Sequence, residues 1–302
     1  MNYRMITYVL GWILVFEALF MAVPIITALV YAEHIVWSYA GSAAICAAAG
    51  GLLIMKRPQK TSLYSREGEV IVALSWVTLS LFGALPLWIS GEIPSFVDAL
   101  FETVSGFTTT GASILSDVEA LSMASRMWRS FSHWVGGMGV LVFIMAFLPL
   151  SGARNMHIMK AESPGPSVSK LVPRVKTTAL LLYSIYFVLT LVEFVLLLCG
   201  GMTVFEALNT AFSTAGTGGF FIYNSGLSGF SPYIQIVVTV FMLLCSVNFT
   251  CFFLIIAGRI REAFNTEVRT FLIIVACASL VIAVNISGLY SSFGEAFRNS
   301  IF

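Results

Sequence analysis

The sequence predicts an all-α integral membrane protein: an N-terminal two-helix hairpin followed by repeated units of span, re-entrant half-helix and span. Three observations carry that expectation. Hydrophobic residues fill 58% of 302 positions and charged residues only 10%, with a mean hydropathy of +0.92, against about 25% charged in a soluble domain. Seven long apolar windows have the length, about 20 residues, that a helix needs to cross a bilayer core. Two shorter apolar segments, each running into a Thr/Gly-rich stretch, recur about 104 residues apart.

The first window, 5–30, follows Arg4 and continues without a small-residue cleavage site into the second, 35–55, so it reads as a retained span and not a signal peptide. Within the second, Ser42–Gly51 (SAAICAAAGG) offers a small-residue face for close helix packing. Windows at 69–90, 127–150, 178–199, 232–258 and 270–290 complete seven expected spans. All are read as helices, because a segment in lipid must satisfy its own backbone. Ser95–Phe107 and Thr203–Phe212 are too short to cross; at 1.5 Å per residue the first is about 20 Å long, enough to enter the membrane and turn back. The boundaries predicted are a hairpin at 1–60, repeats at 61–165 and 166–262, and the start of a third repeat at 263–302.

Basic residues test this count. Arg4, then Lys56, Arg57, Lys60 and Arg66, then Arg154, Lys160, Lys170, Arg174 and Lys176, then Arg259, Arg261 and Arg269 are thirteen of the 16 Lys and Arg. They share one side if each short segment returns to the face it entered. The other side holds Arg126, Arg129 and Arg298 with Glu33, Glu92, Asp98, Glu102, Asp117, Glu119, Glu206 and Glu295. The positive-inside rule then predicts a multi-pass inner-membrane chain with its N-terminus in the cytoplasm and both short segments at the outer face.

Phe101–Gly111 (FETVSGFTTTG) and Phe205–Gly219 (FEALNTAFSTAGTGG) begin alike and end alike. Aligned on the Phe-Glu pair, Glu102 and Glu206 are equivalent and suited to capping or bracing the half-helix. A third copy begins at Phe293 and breaks off in its half-helix, so the third repeat is expected to be truncated. A half-helix ending inside the membrane aims its partly negative end at the membrane centre. A loop after it can turn carbonyl oxygens toward one axis, where they replace the water around a dehydrated K⁺. Glycine admits the backbone conformations this needs, and threonine adds a hydroxyl at the same depth. Thr108–Ser113 (TTTGAS) and Gly216–Phe220 (GTGGF) have that composition. Outer carboxylates at Glu92, Asp98, Asp117 and Glu119 either concentrate cations locally or are solvated loop charges.

FETVSGFTTTGAS from Phe101, WRSFSHWVGGMGVLVFIMAFLPL from Trp128 and AFSTAGTGGF from Ala211 resemble the Trk/Ktr/HKT superfamily of potassium transporters. With the opening MNYRMITYVLGWILVFEALFMAVPI, the resemblance is to the TrkH type and covers the whole chain. It implies a potassium-channel-like architecture of four span–pore-helix–span repeats around one K⁺ pore, a homodimer, and a cytosolic nucleotide-binding regulatory subunit. It also implies K⁺ uptake across the cytoplasmic membrane, with K⁺ as substrate and no cofactor. Carried over residue by residue, the first filter strand falls on Thr108–Ser113, with Thr108, Thr109, Thr110 and Gly111 as ion-binding residues. The second falls on Gly216–Phe221, with Thr217, Gly218 and Gly219. K⁺ contacts are assigned to Thr109, Thr110, Thr217 and Gly218, and Gly216 and Gly218 remain rivals to Gly219 as the filter glycine. Two strands where the family has four read as a truncated product or fragment.

Other features point elsewhere or nowhere. Glu17 and Glu193 fall within spans, where a carboxylate is expensive, about 2.5–3.5 kcal/mol on insertion scales, and belongs on an ion path, in a pair or in neutral form. Gly136, Gly137 and Gly139 suit close packing beside the filter. His133 and His157 are lone histidines with no metal role. The five cysteines lack CxxC spacing and read as small buried residues. A net charge of +1 excludes a nucleic-acid footprint. Two alternatives compete: an ion-coupled secondary transporter with broken helices, and an intramembrane serine protease using Ser228 in Gly226-Leu227-Ser228-Gly229.

Overall fold

A computed structural model describes residues 2–55, 58, 65–139 and 175–301, all of them in helices or the turns between them. The hairpin consists of α1 (Tyr3–Phe20), its continuation α2 (Ala22–Val30), and α3 (Val36–Met55). α1 and α3 cross where two glycines face each other: a Cβ on Gly50 would lie 2.6 Å from the Gly11 carbonyl oxygen, and one on Gly11 would lie 2.9 Å from that of Gly50. Ser42, Cys46 and Gly50, four residues apart, are buried on α3. The small-residue stretch therefore serves close helix approach, as its composition predicts.

Next come α4 (Ser65–Gly83), α5 (Leu85–Ile89), and the 12-residue α6 (Phe96–Phe107), about 18 Å long. An irregular stretch leads to α7 (Met123–Gly137). The pattern recurs with α8 (Val175–Cys199), the 12-residue α9 (Val204–Ala215), α10 (Pro232–Ser246) and α11 (Phe249–Ile256). Short α12 (Ile260–Ala263), long α13 (Thr266–Ile286) and α14 (Phe293–Ile301) follow.

Among the described residues, five stretches are long and apolar enough to cross a membrane: Tyr3–Val30, Val36–Met55, Arg66–Ile89, Ala179–Cys199 and Thr266–Leu289. The window 232–258, expected as one span, is broken into two helices that meet at 91°. Val247 is extended at ψ 142°, and Asn248 restarts the helix by accepting the Thr250 N–H at 3.0 Å. Residues 140–150, the second half of the expected fourth span, lie outside the described residues. So do Lys56, Arg57, Lys60, Arg154, His157, Lys160, Lys170 and Arg174.

Three short helices share one opening, which corrects the repeat register. Ser95, Thr203 and Ser292 each accept the backbone N–H three residues on, that of Asp98, Glu206 and Glu295. An acidic side chain at that third position favours the positive helix end. Ala99, Ala207 and Ala296 come next, all fully buried. The equivalent of Glu206 is therefore Asp98 and not Glu102, an offset of 108 residues instead of 104. The Phe-Glu pair misleads because it recurs at different turns of the two helices. Glu206 does cap, in a reciprocal box with Thr203.

α7 lies at the centre. α6 and α9 both pack on it. Trp128 is buried, donates Nε1–H to the Gly83 carbonyl at 3.0 Å, and meets the rings of Tyr39 and Phe107 edge-on. The first amides of a helix have no partner within it. Here Glu33 accepts those of Met123 (2.8 Å) and Ala124 (3.1 Å), and Glu92 accepts that of Ser122 (2.8 Å). Glu92 is thus a helix cap, not a free loop charge. The cysteine expectation holds for Cys46, Cys245 and Cys251 and fails for Cys199 and Cys277, which are exposed on the apolar exterior.

Candidate ion-conducting site

Each 12-residue helix ends in the same turn. The Thr108 N–H reaches the Val104 carbonyl, that of Thr109 reaches Gly106, and that of Thr110 reaches Ser105. At the 108-residue offset, Gly216 reaches Phe212, Thr217 reaches Thr214, and Gly218 reaches Ser213. The backbone conformation repeats as well. Thr109 has φ 55° and Gly111 φ 76°; Thr217 has φ 57° and Gly219 φ 78°. Every second residue of each strand is left-handed. For a β-branched threonine that conformation is an outlier, and only Ala32 shares it among the described non-glycine residues. Strain of this kind persists where surrounding structure imposes it, and it concentrates at functional sites.

The two strands touch. A Cβ on Gly111 would collide with the carbonyl oxygen of Gly218, and one on Gly218 would lie 3.0 Å from that of Thr109. α7 supports both from behind. A Cβ on Gly136 would strike the Phe107 carbonyl, and one on Gly137 would come within 2.9 Å of the Gly216 Cα. Gly136 and Gly137 of α7 thus pack against these two turns. Beyond the strands, Asn224 joins the two loops that follow them: its Nδ2 donates to Asp117 at 2.7 Å, its backbone N–H to Glu119 at 2.9 Å, and its Oδ1 accepts the Val118 N–H at 2.8 Å. Asn224 holds the Asp117 carboxyl below the usual carboxylate range.

A buried ion pair stands behind the first strand. Arg129 Nε donates to Glu102 at 2.9 Å, with side chains 3% and 0% exposed. The other Glu102 oxygen accepts the Ser113 hydroxyl and the Ile114 N–H, each at 2.6 Å. Arg129 also lies over the Phe220 ring, 4.2 Å from its centroid. His133, one turn further along α7, stacks on the same ring at 4.2 Å. Neither imidazole nitrogen has a hydrogen-bond partner among the described residues, and the ring abuts the Gly218 backbone.

Thr108, Thr109, Thr110 and Gly111 thus come together with Gly218 in one place. Thr217 and Gly219 flank Gly218 in the second strand and are exposed, as are Thr108 and Thr110 in the first. Two hydroxyls are engaged locally: that of Thr108 donates to the Val104 carbonyl at 2.7 Å and meets that of Thr110 at 2.8 Å. Glu17 and Glu193 are both fully buried. Glu17 approaches Gly83, where a Cβ would lie 3.0 Å from its oxygen, and Glu193 neighbours Thr214. Sequence reasoning missed Asn224, and it read Arg129 as an outer charge, His133 as a lone histidine and Phe220 as one more strand residue, without their mutual contacts. An arginine and a histidine one turn apart on the amphipathic α7 were the available signal. Ser228 lies in an exposed 3-10 turn and donates to the Ser225 carbonyl at 2.7 Å, while His133 is occupied with Phe220. No group of three or more His, Cys, Asp or Glu among the described residues has the arrangement to hold a metal.

Comparison with known proteins identifies the family. The TrkH family model, described as a cation transport protein, matches residues 38–290. The Trk system potassium uptake protein TrkH of Halomonas elongata is 33% identical over 291 residues, covering 95% of this chain and 60% of that protein. TrkH of Escherichia coli K12 is 34% identical over 279 residues, covering 90% of this chain and 58% of its own length. The crystal structure of the potassium transporter TrkH from Vibrio parahaemolyticus superimposes with a TM-score of 0.85 at 30% identity, over all of this chain and 63% of that one. The chain therefore spans about three fifths of the length of these relatives. Protease chemistry at Ser228 has no place in a transport family. The chain is a multi-pass membrane protein that belongs to the TrkH family of cation transport proteins.

Proposed function

We propose that this chain forms the N-terminal part of a K⁺ uptake pathway, with Thr108–Gly111 and Thr217–Gly219 as two of its filter strands. The observation that carries the reading is the paired turn: two helix ends, 108 residues apart, present the same alternating left-handed backbone side by side. Such a strand turns carbonyl oxygens toward one axis, where they substitute for the hydration shell of a dehydrated cation. K⁺ contacts come from Thr109, Thr110, Thr217 and Gly218. Gly219 is the second filter glycine, because its φ matches that of Gly111 whereas Gly216 and Gly218 lack a positive φ. The relatives' names supply the choice of K⁺.

In this reading α6 and α9 are re-entrant pore helices entered from the outside, and the segments at 61–165, 166–262 and from 263 onward are successive repeats after the hairpin at 1–60. Seven spans cross the inner membrane from a cytoplasmic N-terminus, which the distribution of Lys and Arg supports. The whole protein is a homodimer with a cytosolic nucleotide-binding regulatory partner, by family resemblance. Transport is passive; a flux indifferent to H⁺ and Na⁺ gradients separates it from the ion-coupled alternative. The test is growth on low K⁺ of cells lacking their own K⁺ uptake. These cells would express either this chain or a four-repeat protein that carries it. Rescue by the four-repeat protein supports the reading. Failure despite membrane expression removes it, and rescue by the 302-residue chain alone requires two chains to complete one pore.

A further inference from the structure

We propose that Arg129, His133 and Phe220 act as a strut across the repeats that sets K⁺ over Na⁺ selectivity by locking the second filter strand to the first. This rests on the filter reading above. One turn of α7 grips both strands. On the first, Arg129 holds Glu102 at 2.9 Å and reaches the Ser113 hydroxyl at 3.3 Å, while Glu102 fixes Ser113 and Ile114 just beyond Gly111. On the second, the imidazole of His133 abuts Gly218, and Phe220 is flanked by Arg129 and His133, each 4.2 Å from its ring centroid. Gly219 is thereby held through the residues on either side of it. A Cβ added at Gly219 itself would meet nothing closer than Met242 at 3.9 Å, so the close contacts lie on the flanking residues.

The chemistry suits a positioning role. A buried ion pair contributes little net stability, since desolvation offsets attraction, and its best-attested use is to specify one arrangement. A cation–ring contact gains strength when removed from water, and Arg129 and Phe220 are each 3% exposed. The imidazole of His133 makes no hydrogen bond among the described residues, so it acts by shape, as a flat spacer between α7 and the Gly218 backbone.

The test uses the four-repeat protein in vesicles, reading initial K⁺ uptake against Na⁺ uptake, with thermal stability in detergent as a folding control. Phe220→Leu and Arg129→Lys each lower the K⁺/Na⁺ ratio about three- to tenfold, the scale of one desolvated cation–ring contact. The double variant loses less than the product of the two single losses, because the Arg129–Phe220 contact is common to both. Phe220→Tyr, which keeps the ring, restores most of the ratio. If Phe220→Leu and Arg129→Lys keep the wild-type ratio while Gly111→Ala loses it, the strut is refuted and the filter stands. If Gly111→Ala also keeps it, or the parent protein does not discriminate, the filter reading fails and this proposal with it.

Discussion

Gly111→Ala is the sharpest perturbation of the paired strands. Gly111 sits at φ 76°, where any residue with a Cβ costs about 1–2 kcal/mol. At 1.4 kcal/mol per tenfold, that strain alone is worth about five- to thirtyfold in an equilibrium. The added carbon also overlaps the Gly218 carbonyl oxygen. Restoring an ordinary contact distance of about 3.5 Å moves one strand from the other by roughly an ångström or more. A displaced carbonyl no longer matches the ion whose hydration it replaces. The expected result is a K⁺/Na⁺ uptake ratio reduced about tenfold or more, together with slower K⁺ uptake. Both are read in vesicles containing the four-repeat protein. The control is Gly51→Ala, in a helix with open space around the new methyl; it leaves the ratio unchanged and is neutral to stabilising by up to about 1 kcal/mol. Wild-type rate and ratio in Gly111→Ala would refute the close strand pairing as a feature of the conducting path.

Further expectations concern the scaffold. Glu102→Ala leaves the Arg129 guanidinium buried without its carboxylate and lowers stability by about 3–5 kcal/mol, visible as an earlier thermal transition in detergent. Thr203→Ala removes the reciprocal cap of α9 and costs about 1 kcal/mol, measurable in the same assay. Gly50→Ala drives a methyl to 2.6 Å from the Gly11 carbonyl and costs about 1–3 kcal/mol; crosslinking yields between cysteines placed on α1 and α3 report the separation. The Asn224 clamp is expected to follow the ionisation of Asp117. Its folded pKa lies below the ordinary value, first because of the Asn224 amide. The interaction is therefore complete above that ordinary value of about 3.9 and is lost as pH falls through the lower, folded one. Proteolysis of the 112–122 loop stays slow at neutral pH and accelerates only in strong acid.

Much of this architecture is legible in composition and period. The apolar windows, the two short helices and the Thr/Gly turns after them all reflect local constraints: bilayer thickness, backbone satisfaction and glycine at a left-handed turn. The repeat was visible too, but its register was not. The Phe-Glu pair draws the eye to an offset of 104. The caps at Ser95 and Thr203, and the left-handed residues at Thr109 and Thr217, set it at 108. Asn248, an internal helix start in an unbroken apolar run, was legible only as another polar residue.

The sequence by itself determined the class of the protein, its membrane character, the existence of the repeat, and the two Thr/Gly segments on which the filter reading rests. These properties depend on which residues are near one another along the chain. Only the tertiary structure decided what stands behind those segments. Glu102, Arg129, His133 and Phe220 are scattered over 119 positions of sequence. Each lies within a stretch that carries the family resemblance, yet nothing in those stretches says that the four meet, because each is matched to a neighbour from another part of the chain: a carboxylate for a guanidinium, a ring for both a cation and an imidazole. Glu33 and Glu92 likewise read as outer charge until α7 brings its unpaired amides to them. Pairing of buried polar groups is a long-range property, and it becomes visible only when the helices are packed.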